Sequence, residues 1–272
     1  MRMVGISTWS LEEESLARRV RAVAEIGYNA VSFLGDFLDA TPLDELAGIE
    51  RVIEKKDLLV TVHSGFGWPH REVDEKASLA QAERILEWHA KTGRVACLSY
   101  DVPWVEISPG IHRTDPTTIL DVFEKVLCLS SGSGVRAALE DCPLDPGQLE
   151  HFAGWTERFP HWGVLVDLGH MNMRLREPKH DPQPMAPGAV KDYLSRVPIE
   201  IVEIHVHSND GTDDQHLPPY MGNADLPAAA RAMQRIRFQG VSTIEFGRAW
   251  GAQGESLPAA GKSLDYWQGL LA

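Results

Sequence analysis

The feature of this sequence that most limits its fold is a regular alternation of short apolar runs with longer amphipathic segments. Runs rich in β-branched residues occur at residues 3–8, 30–34, 58–64, 95–100, 134–140, 163–168, 201–207 and 241–246. Most of the segments between them have helical periodicity, among them residues 73–92, 115–129, 145–158 and 225–238. Another starts after Ser10, which has capping-box spacing with Glu13, and stops at Gly27. The chain therefore predicts a repeated strand–helix unit.

Strands that alternate with helices pair in parallel through right-handed crossovers. Eight such units in 272 residues favour a closed (β/α)8 TIM barrel, an α/β fold, although the pattern also allows an open doubly wound sheet. Two polar stretches, residues 171–188 and 208–224, follow the sixth and seventh strands and are predicted to be long loops over a site. No linker divides the sequence, so residues 1–272 are predicted to form one domain.

Charge and composition argue against several classes of partner and location. The 26 basic and 39 acidic residues give a net charge of −13, which disfavours nucleic acid as the main partner. The 3 cysteines form no CxxC pair, so no disulfide framework is expected. The chain has no signal-peptide core and no apolar stretch near the roughly 18 residues of a membrane span. We therefore expect a cytoplasmic protein with no membrane partner.

Ionisable side chains collect at the predicted carboxyl ends of the strands, where barrel enzymes place their catalytic groups. In chain order they are His63, Glu140, Asp167, His170, His205, His207 and Glu245, with Asp214 and His216 in the loop after strand seven. Each alone has a structural interpretation, such as a helix cap or a salt-bridge partner. Together they would bury carboxylates and imidazoles at one barrel mouth, which is costly without a partner. Oxygen and imidazole ligands without thiolate predict a divalent cation, namely Mn²⁺, Co²⁺, Mg²⁺ or Zn²⁺.

Aromatic residues near the predicted strand ends are candidates for the walls of a substrate pocket. The FGWP segment after His63 supplies Phe66 and Trp68, and Trp104 follows strand four. Trp9, Phe33 and Trp250 lie near other strand ends, and packing in the core is the alternative for all of them. The sequence has no P-loop, dinucleotide-binding glycine motif or G-x-S-x-G motif, so phosphoryl transfer, hydride transfer and serine hydrolysis lack support.

Two segments carry a resemblance to a known family. VDLGHMNM (166–173) and EIHVHSNDGTDDQHLPPYMGNADL (203–226), with Glu140 before them and Glu245 after, resemble the xylose isomerase-like TIM-barrel superfamily. That superfamily includes sugar and sugar-phosphate isomerases and epimerases and endonuclease IV. The resemblance implies four metal ligands, Glu140, Asp167, His205 and Glu245. It also implies that Glu140 and Glu245 transfer protons, and that His170 contacts substrate or a further metal.

The chain also departs from members of that superfamily. His63, Asp214 and His216 lie where endonuclease IV has additional zinc ligands, but Asp101 is the nearest candidate where its ninth ligand is a histidine. Tyr220 occupies the first glycine of the family's Pro-x-Gly-x-Gly pattern. The segment after His205 lacks an arginine that some ketose epimerases carry. These departures leave the substrate open.

We therefore expect a metal-dependent isomerase or epimerase of a sugar or sugar phosphate that works by proton transfer through an enediolate. His170 and His207 are expected to hydrogen-bond substrate hydroxyls, and His207 has a supporting role behind the metal ligands as its alternative. Three other interpretations stay open: a zinc-dependent phosphodiester hydrolase like endonuclease IV, a metal-dependent keto-polyol dehydratase, and a non-enzymatic barrel with a structural metal. The expected partner is a small carbohydrate, and the resemblance allows a homo-oligomer.

Overall fold

Parallel strands close into a barrel in the computed structural model of this chain, which describes residues 2–65, 73–101, 116–140, 152, 154–175, 186, 188–247 and 255–272. The strands are β1 (Met3–Ser7), β2 (Ala30–Leu34), β3 (Leu59–Gly65), β4 (Val95–Asp101), β5 (Arg136–Glu140), β6 (Trp162–Asp167), β7 (Ile201–Val206) and β8 (Val241–Ile244). Each strand pairs in parallel with the next, and β8 pairs with β1. The predicted (β/α)8 barrel is confirmed, and the open sheet is excluded.

Helices connect the strands in the order that the periodicity predicts. Within the described residues they are α1 (Leu16–Ile26), α2 (Phe37–Ala40), α3 (Leu43–Lys56), α4 (Glu75–Thr92), α5 (Pro116–Ser130), α6 (Trp155–Arg158), α7 (Leu168–Arg174), α8 (Ala189–Arg196), α9 (Leu226–Arg235) and α10 (Ser256–Leu271). A 3-10 turn, Thr8–Ser10, follows β1. None of the described helices combines the length and apolar composition needed to cross a membrane.

Burial on both faces explains why the strands read as continuous apolar runs. All six residues of β6 are buried, as are all six of β7, because helices cover one face and the barrel interior covers the other. Gly163 lets these two strands approach closely, since a Cβ there would lie 2.5 Å from Val202 Cγ1. Outside the barrel, Trp162 packs edge-on against Phe123 of α5 and Trp155 of α6. The core therefore holds the carboxyl ends of the strands in fixed register.

The predicted start of the first helix is wrong. Ser15, not Ser10, caps α1, and its Oγ accepts a hydrogen bond from the Arg18 backbone N–H at 3.3 Å. Ser10 is fully buried, and its Oγ accepts instead from the backbone N–H of Phe246, 3.1 Å away beyond β8. Because Ser10 is committed to this long-range contact, it cannot cap a local helix. Gly27 ends α1 in the left-handed conformation (φ 108°), as the sequence predicts.

The predicted loop at residues 171–188 is also partly wrong. Helix α7 runs through Arg174, starting directly after β6, and Asp167 caps it by accepting from the His170 backbone N–H at 2.7 Å. Residues 176–185 and 187 of that stretch lie outside the described residues. The second predicted loop, residues 208–224, has neither helix nor strand and makes an isolated antiparallel bridge between Ser208 and Leu217.

Replacing the observed cap should destabilise the fold more than replacing an ordinary surface serine. We expect Ser15→Ala to lower the free energy of unfolding by about 1 kcal/mol, because it leaves a backbone N–H of the first turn of α1 without its partner. Urea denaturation measures this change. Ser195→Ala is the matched control, since the Ser195 hydroxyl only donates to the Asp192 carbonyl of its own helix. Equal losses in the two variants would contradict the assignment of the cap.

Candidate metal centre and active site

Four consecutive strands bring the main candidate residues to one end of the barrel. Glu140 is the last residue of β5, Asp167 is the last of β6, and His205 stands directly beside Asp167 in the β6–β7 register. Glu245 follows β8. All four residues are buried. The four residues whose metal-binding role the resemblance implies are therefore neighbours at the barrel mouth.

Asp167, His205 and Glu245 form a compact group. His205 Nδ1 lies 2.9 Å from Glu245 Oε2 and 3.7 Å from Asp167 Oδ2. Each of the three offers a ligand atom within 4.8 Å of the others. The indole N–H of Trp9 donates to Glu245 Oε1 at 2.5 Å, which holds that carboxylate in place. Two buried carboxylates and one imidazole that converge in this way fit a divalent cation, which would offset their like charge.

Glu140 extends this group toward two further histidines. Its Oε1 lies 3.0 Å from His170 Nδ1, and its Oε2 lies 3.6 Å from His63 Nε2. Glu140, Asp167 and His170 also offer ligand atoms within 4.8 Å of one another. The rings of His63 and His205 meet edge-on, with centroids 4.8 Å apart. Glu140 and Glu245 therefore lie on either side of the His63–His205 ring pair, and each contacts a different histidine.

A third group of candidate ligands, called here the loop group, includes residues of the loop after β7 and consists of His170, His207, Asp214 and His216. Asp214 Oδ2 lies 3.1 Å from both His170 Nε2 and His216 Nε2. The His207 ring stacks on the His216 ring with centroids 3.9 Å apart. These four residues again offer ligand atoms within 4.8 Å of one another. The structure thus brings together all nine predicted polar residues: His63, Glu140, Asp167, His170, His205, His207, Asp214, His216 and Glu245.

Mutual ion pairing dominates the electrostatics of this region. Burial disfavours a charged His205, but the neighbouring carboxylates, Glu245 foremost, raise its pKa to about 10. Burial is likewise outweighed at His216, where the hydrogen bond and charge of Asp214 raise the pKa to about 9. Burial raises the pKa of Glu245, but the positive charge and hydrogen bond of His205 lower it by more, so this pKa is held well below its usual range. Without a metal, charged His205 and His216 therefore offset part of the negative charge of the carboxylates.

Asp101 places a further carboxyl group beside Glu140. It is the last residue of β4, at the strand end where the resemblance to endonuclease IV would place a histidine. Burial, followed by the charge and hydrogen bonding of Glu140, raises the pKa of Asp101 well above its ordinary value. This carboxyl group differs chemically from an imidazole ligand.

The sequence interpretation missed one buried carboxylate, Glu203. Its Oε2 accepts from the Ser99 hydroxyl at 3.1 Å, and its Oε1 accepts from the Thr243 hydroxyl at 2.7 Å. Ser99 in turn lies 3.1 Å from His63 Nδ1. Glu203 precedes His205 by two residues on β7, so strand alternation places both on the inner side of the barrel. That spacing was the signal that could have found it.

The aromatic candidates have different outcomes. Phe66, Trp68, Trp104 and Trp250 lie outside the described residues. Trp9 is at the site, where its ring meets that of His216 edge-on at 5.3 Å. Phe33 is fully buried and stacks on Phe37 with centroids 4.4 Å apart, so it is a core residue.

The ion pairs predict how the stability of the metal-free protein depends on pH. The pKa of His205 rises from 6.5 to about 10 in the folded state, so its ion pair stabilises the fold fully below the unfolded value. That stabilisation is lost as the pH rises through the folded value, and His216 acts in the same direction. We therefore expect the thermal unfolding midpoint, measured with a chelator present, to fall between about pH 7 and pH 10.

The variant His205→Gln should show a flatter dependence, because it removes the group that titrates. His89→Gln, on helix α4, is the control and should keep the wild-type dependence. An unchanged slope in His205→Gln would contradict this electrostatic account.

Comparison with known proteins agrees with the architecture. The family model described as the xylose isomerase-like TIM barrel matches residues 20–269. Among curated proteins, uncharacterized protein MJ1311 of Methanocaldococcus jannaschii is 19% identical over 256 residues, which are 89% of this chain and 82% of that protein.

Solved structures with this fold include sugar epimerases. D-psicose 3-epimerase from Clostridium cellulolyticum H10, crystallised with D-tagatose, has a TM-score of 0.72 at 14% identity, with 99% of both chains covered. The 3-keto-D-glucoside 4-epimerase from E. coli has a TM-score of 0.70 at 17% identity, covering 99% of this chain and 100% of that one. A xylose isomerase domain protein from Alicyclobacillus acidocaldarius has a TM-score of 0.71 at 16% identity, covering 100% and 98%. These likenesses show the fold, and the family match shows that the chain belongs to the xylose isomerase-like TIM barrel family.

Proposed function

We propose that this protein is a divalent-metal-dependent isomerase or epimerase of a sugar or sugar phosphate. The observation that carries the proposal is that the buried Asp167 belongs to two groups of candidate ligands, one with Glu140 and His170 and the other with His205 and Glu245. Solved epimerases of psicose, of a 3-keto-glucoside and of L-ribulose share the fold, which supports a carbohydrate substrate.

The cation would be held by Glu140, Asp167, His205 and Glu245, with oxygen donors from three carboxylates and one nitrogen from His205. When bound, the metal would polarise a substrate carbonyl and the adjacent hydroxyl, which makes the neighbouring C–H more acidic. Mn²⁺, Co²⁺, Mg²⁺ and Zn²⁺ all accept such donors.

Glu140 and Glu245 are the proposed proton-transfer groups. One carboxylate takes the proton from the carbon that bears the hydroxyl next to the carbonyl, and the C–H electron pair passes into an enediolate. The other carboxyl group, in its protonated form, delivers its proton to the opposite face of that carbon and so inverts it. Delivery to the neighbouring carbon instead, with transfer of the hydroxyl proton to the former carbonyl oxygen, moves the carbonyl. Glu140 is held between His63 and His170, and Glu245 between Trp9 and His205. These contacts orient two carboxylates toward one substrate from different strands.

The remaining predicted site residues have supporting places in this proposal. His170 lies between Glu140 and Asp214, and we propose that a substrate hydroxyl takes the place of one of these two carboxylate contacts. Phe66, Trp68 and Trp104 remain proposed walls that exclude water from the reacting carbons.

A second candidate is a metal-dependent phosphodiester hydrolase. The group His170, His207, Asp214 and His216 favours it, because these residues could hold a further ion close to the first. The net charge of −13 opposes a nucleic-acid substrate. A keto-polyol dehydratase would use the same enediolate chemistry as the isomerase and would differ by losing water.

Metal content per chain separates these functions. The protein is purified without added metal or chelator and analysed by plasma mass spectrometry, with His205→Ala beside it. About one Mn, Co, Mg or Zn per chain, lost in the variant, is expected for the isomerase or dehydratase. Two or three zinc ions per chain would favour the hydrolase, and no metal after reconstitution would contradict both mechanisms.

Proton transfer is tested by incubating the metal-loaded protein with ketoses in D₂O and following deuterium uptake and product formation by NMR. We expect Glu245→Gln to reduce exchange by about 10²- to 10⁴-fold, because it removes a proton-transfer group. Asp167→Ala should lose exchange together with bound metal. Glu200→Gln is the matched control, since Glu200 pairs with Arg136 outside the site, and it should retain turnover. Full exchange in Glu245→Gln would refute its catalytic role.

A further inference from the structure

His207 occupies a position that the proposed chemistry does not use. His207 directly follows β7 and is completely buried. His207 Nε2 lies 2.9 Å from Oδ1 and 3.0 Å from Oδ2 of Asp167. Because an ionised carboxylate only accepts hydrogen bonds, Nε2 carries the proton and donates it to Asp167. The backbone N–H of His170 is a second fixed donor to Oδ1, at 2.7 Å.

The His207 ring also contacts its own chain and the neighbouring histidines, with Nδ1 3.5 Å from the Ser208 carbonyl oxygen. The ring is nearly parallel to that of His216, with an interplanar angle of 12° and centroids 3.9 Å apart. It meets the ring of His170 edge-on at 5.7 Å. His207 thus lies between Asp167 at the strand end and the residues that close over it.

Gly169 makes room for this ring. A Cβ atom at residue 169 would lie 1.9 Å from His207 Cε1 and 2.3 Å from Nδ1. Gly169 lies inside helix α7, where glycine is less favourable than alanine by about 1 kcal/mol. Its backbone does not have a positive φ that would call for glycine. Space for His207 is therefore the physical reason for a glycine between Asp167 and His170.

We propose that His207 is a positioning residue that fixes the carboxylate of Asp167 for metal binding and thereby sets the metal affinity. This rests on the proposed function, since it takes Asp167 as a ligand. A carboxylate with two fixed donors cannot rotate freely, so its remaining lone pairs stay directed toward the space shared with His205 and Glu245. Groups that orient ligands in this way contribute about 10- to 100-fold in metal affinity.

Three variants separate the donor from the ring. His207→Phe keeps an aromatic ring beside His216 but removes the donor to Asp167, whereas His207→Gln keeps an N–H near the position of Nε2 but removes the ring. Gly169→Ala keeps His207 and displaces its ring. Mn²⁺ affinity of each metal-stripped protein is measured by isothermal titration calorimetry, and its thermal unfolding in chelator serves as the folding control.

We expect His207→Phe and Gly169→Ala to bind Mn²⁺ about 10- to 100-fold more weakly than wild type. His207→Gln should remain within a few-fold of wild type. The Mn²⁺ concentration that gives half-maximal ketose turnover should rise by a similar factor in His207→Phe and Gly169→Ala, and not in His207→Gln.

Wild-type affinity in His207→Phe, or in Gly169→Ala if the Phe variant does not fold, would overturn the assignment. Equal losses in the Phe and Gln variants would also overturn it, because the ring and not the donor would then be responsible. Absence of Mn²⁺ binding by wild type would contradict the proposed function itself, which is a distinguishable result.

Discussion

The burial of like charges at the barrel mouth is the constraint on which the rest of this structure depends. Glu140, Asp167 and Glu245 are 3%, 0% and 6% exposed at the ends of neighbouring strands. Buried carboxylates without partners would cost several kcal/mol each. His205 supplies compensating charge and His170 lies 3.0 Å from Glu140, and both contacts require the strands to end in a fixed register. The packed core therefore holds the carboxylates and the histidines at fixed distances of about 3 Å from one another.

The barrel was predictable because each strand carries its own local signal. β6 is buried on both faces, so its sequence is an apolar run that ends in Asp167, and β7 is also fully buried but is interrupted by Glu203 and His205. The site residues were predictable for the same reason, since Glu140 and Asp167 end such runs and a parallel barrel brings all strand ends together. Nothing beyond strand order and residue type is needed for that step.

Features that depend on contacts distant in sequence were not predictable. Ser10 has the local spacing of a helix cap, but its partner is the backbone of Phe246, which only the closed barrel brings near. Helix α7 was missed because the sequence does not show whether Asp167 caps a helix or ends a strand as a ligand. In the structure its Oδ1 accepts from the His170 backbone N–H and also lies 2.9 Å from His207 Nε2. The close packing of Gly169 on the His207 ring is a steric relation between two elements, and neither residue indicates it alone.

The two groups of metal-binding side chains are not equivalent, and their charges distinguish them. Around His205, three carboxylates face one imidazole, so a divalent cation would relieve an excess of negative charge. In the loop group, a single carboxylate, Asp214, already lies 3.1 Å from two imidazole nitrogens. A cation in either group would have to displace a proton from an imidazole, because the pKa of His205 is raised to about 10 and that of His216 to about 9, so the number of carboxylates is what distinguishes the two groups. Charge balance therefore favours one ion at the strand ends, which is the requirement of the proposed isomerase and not of the hydrolase.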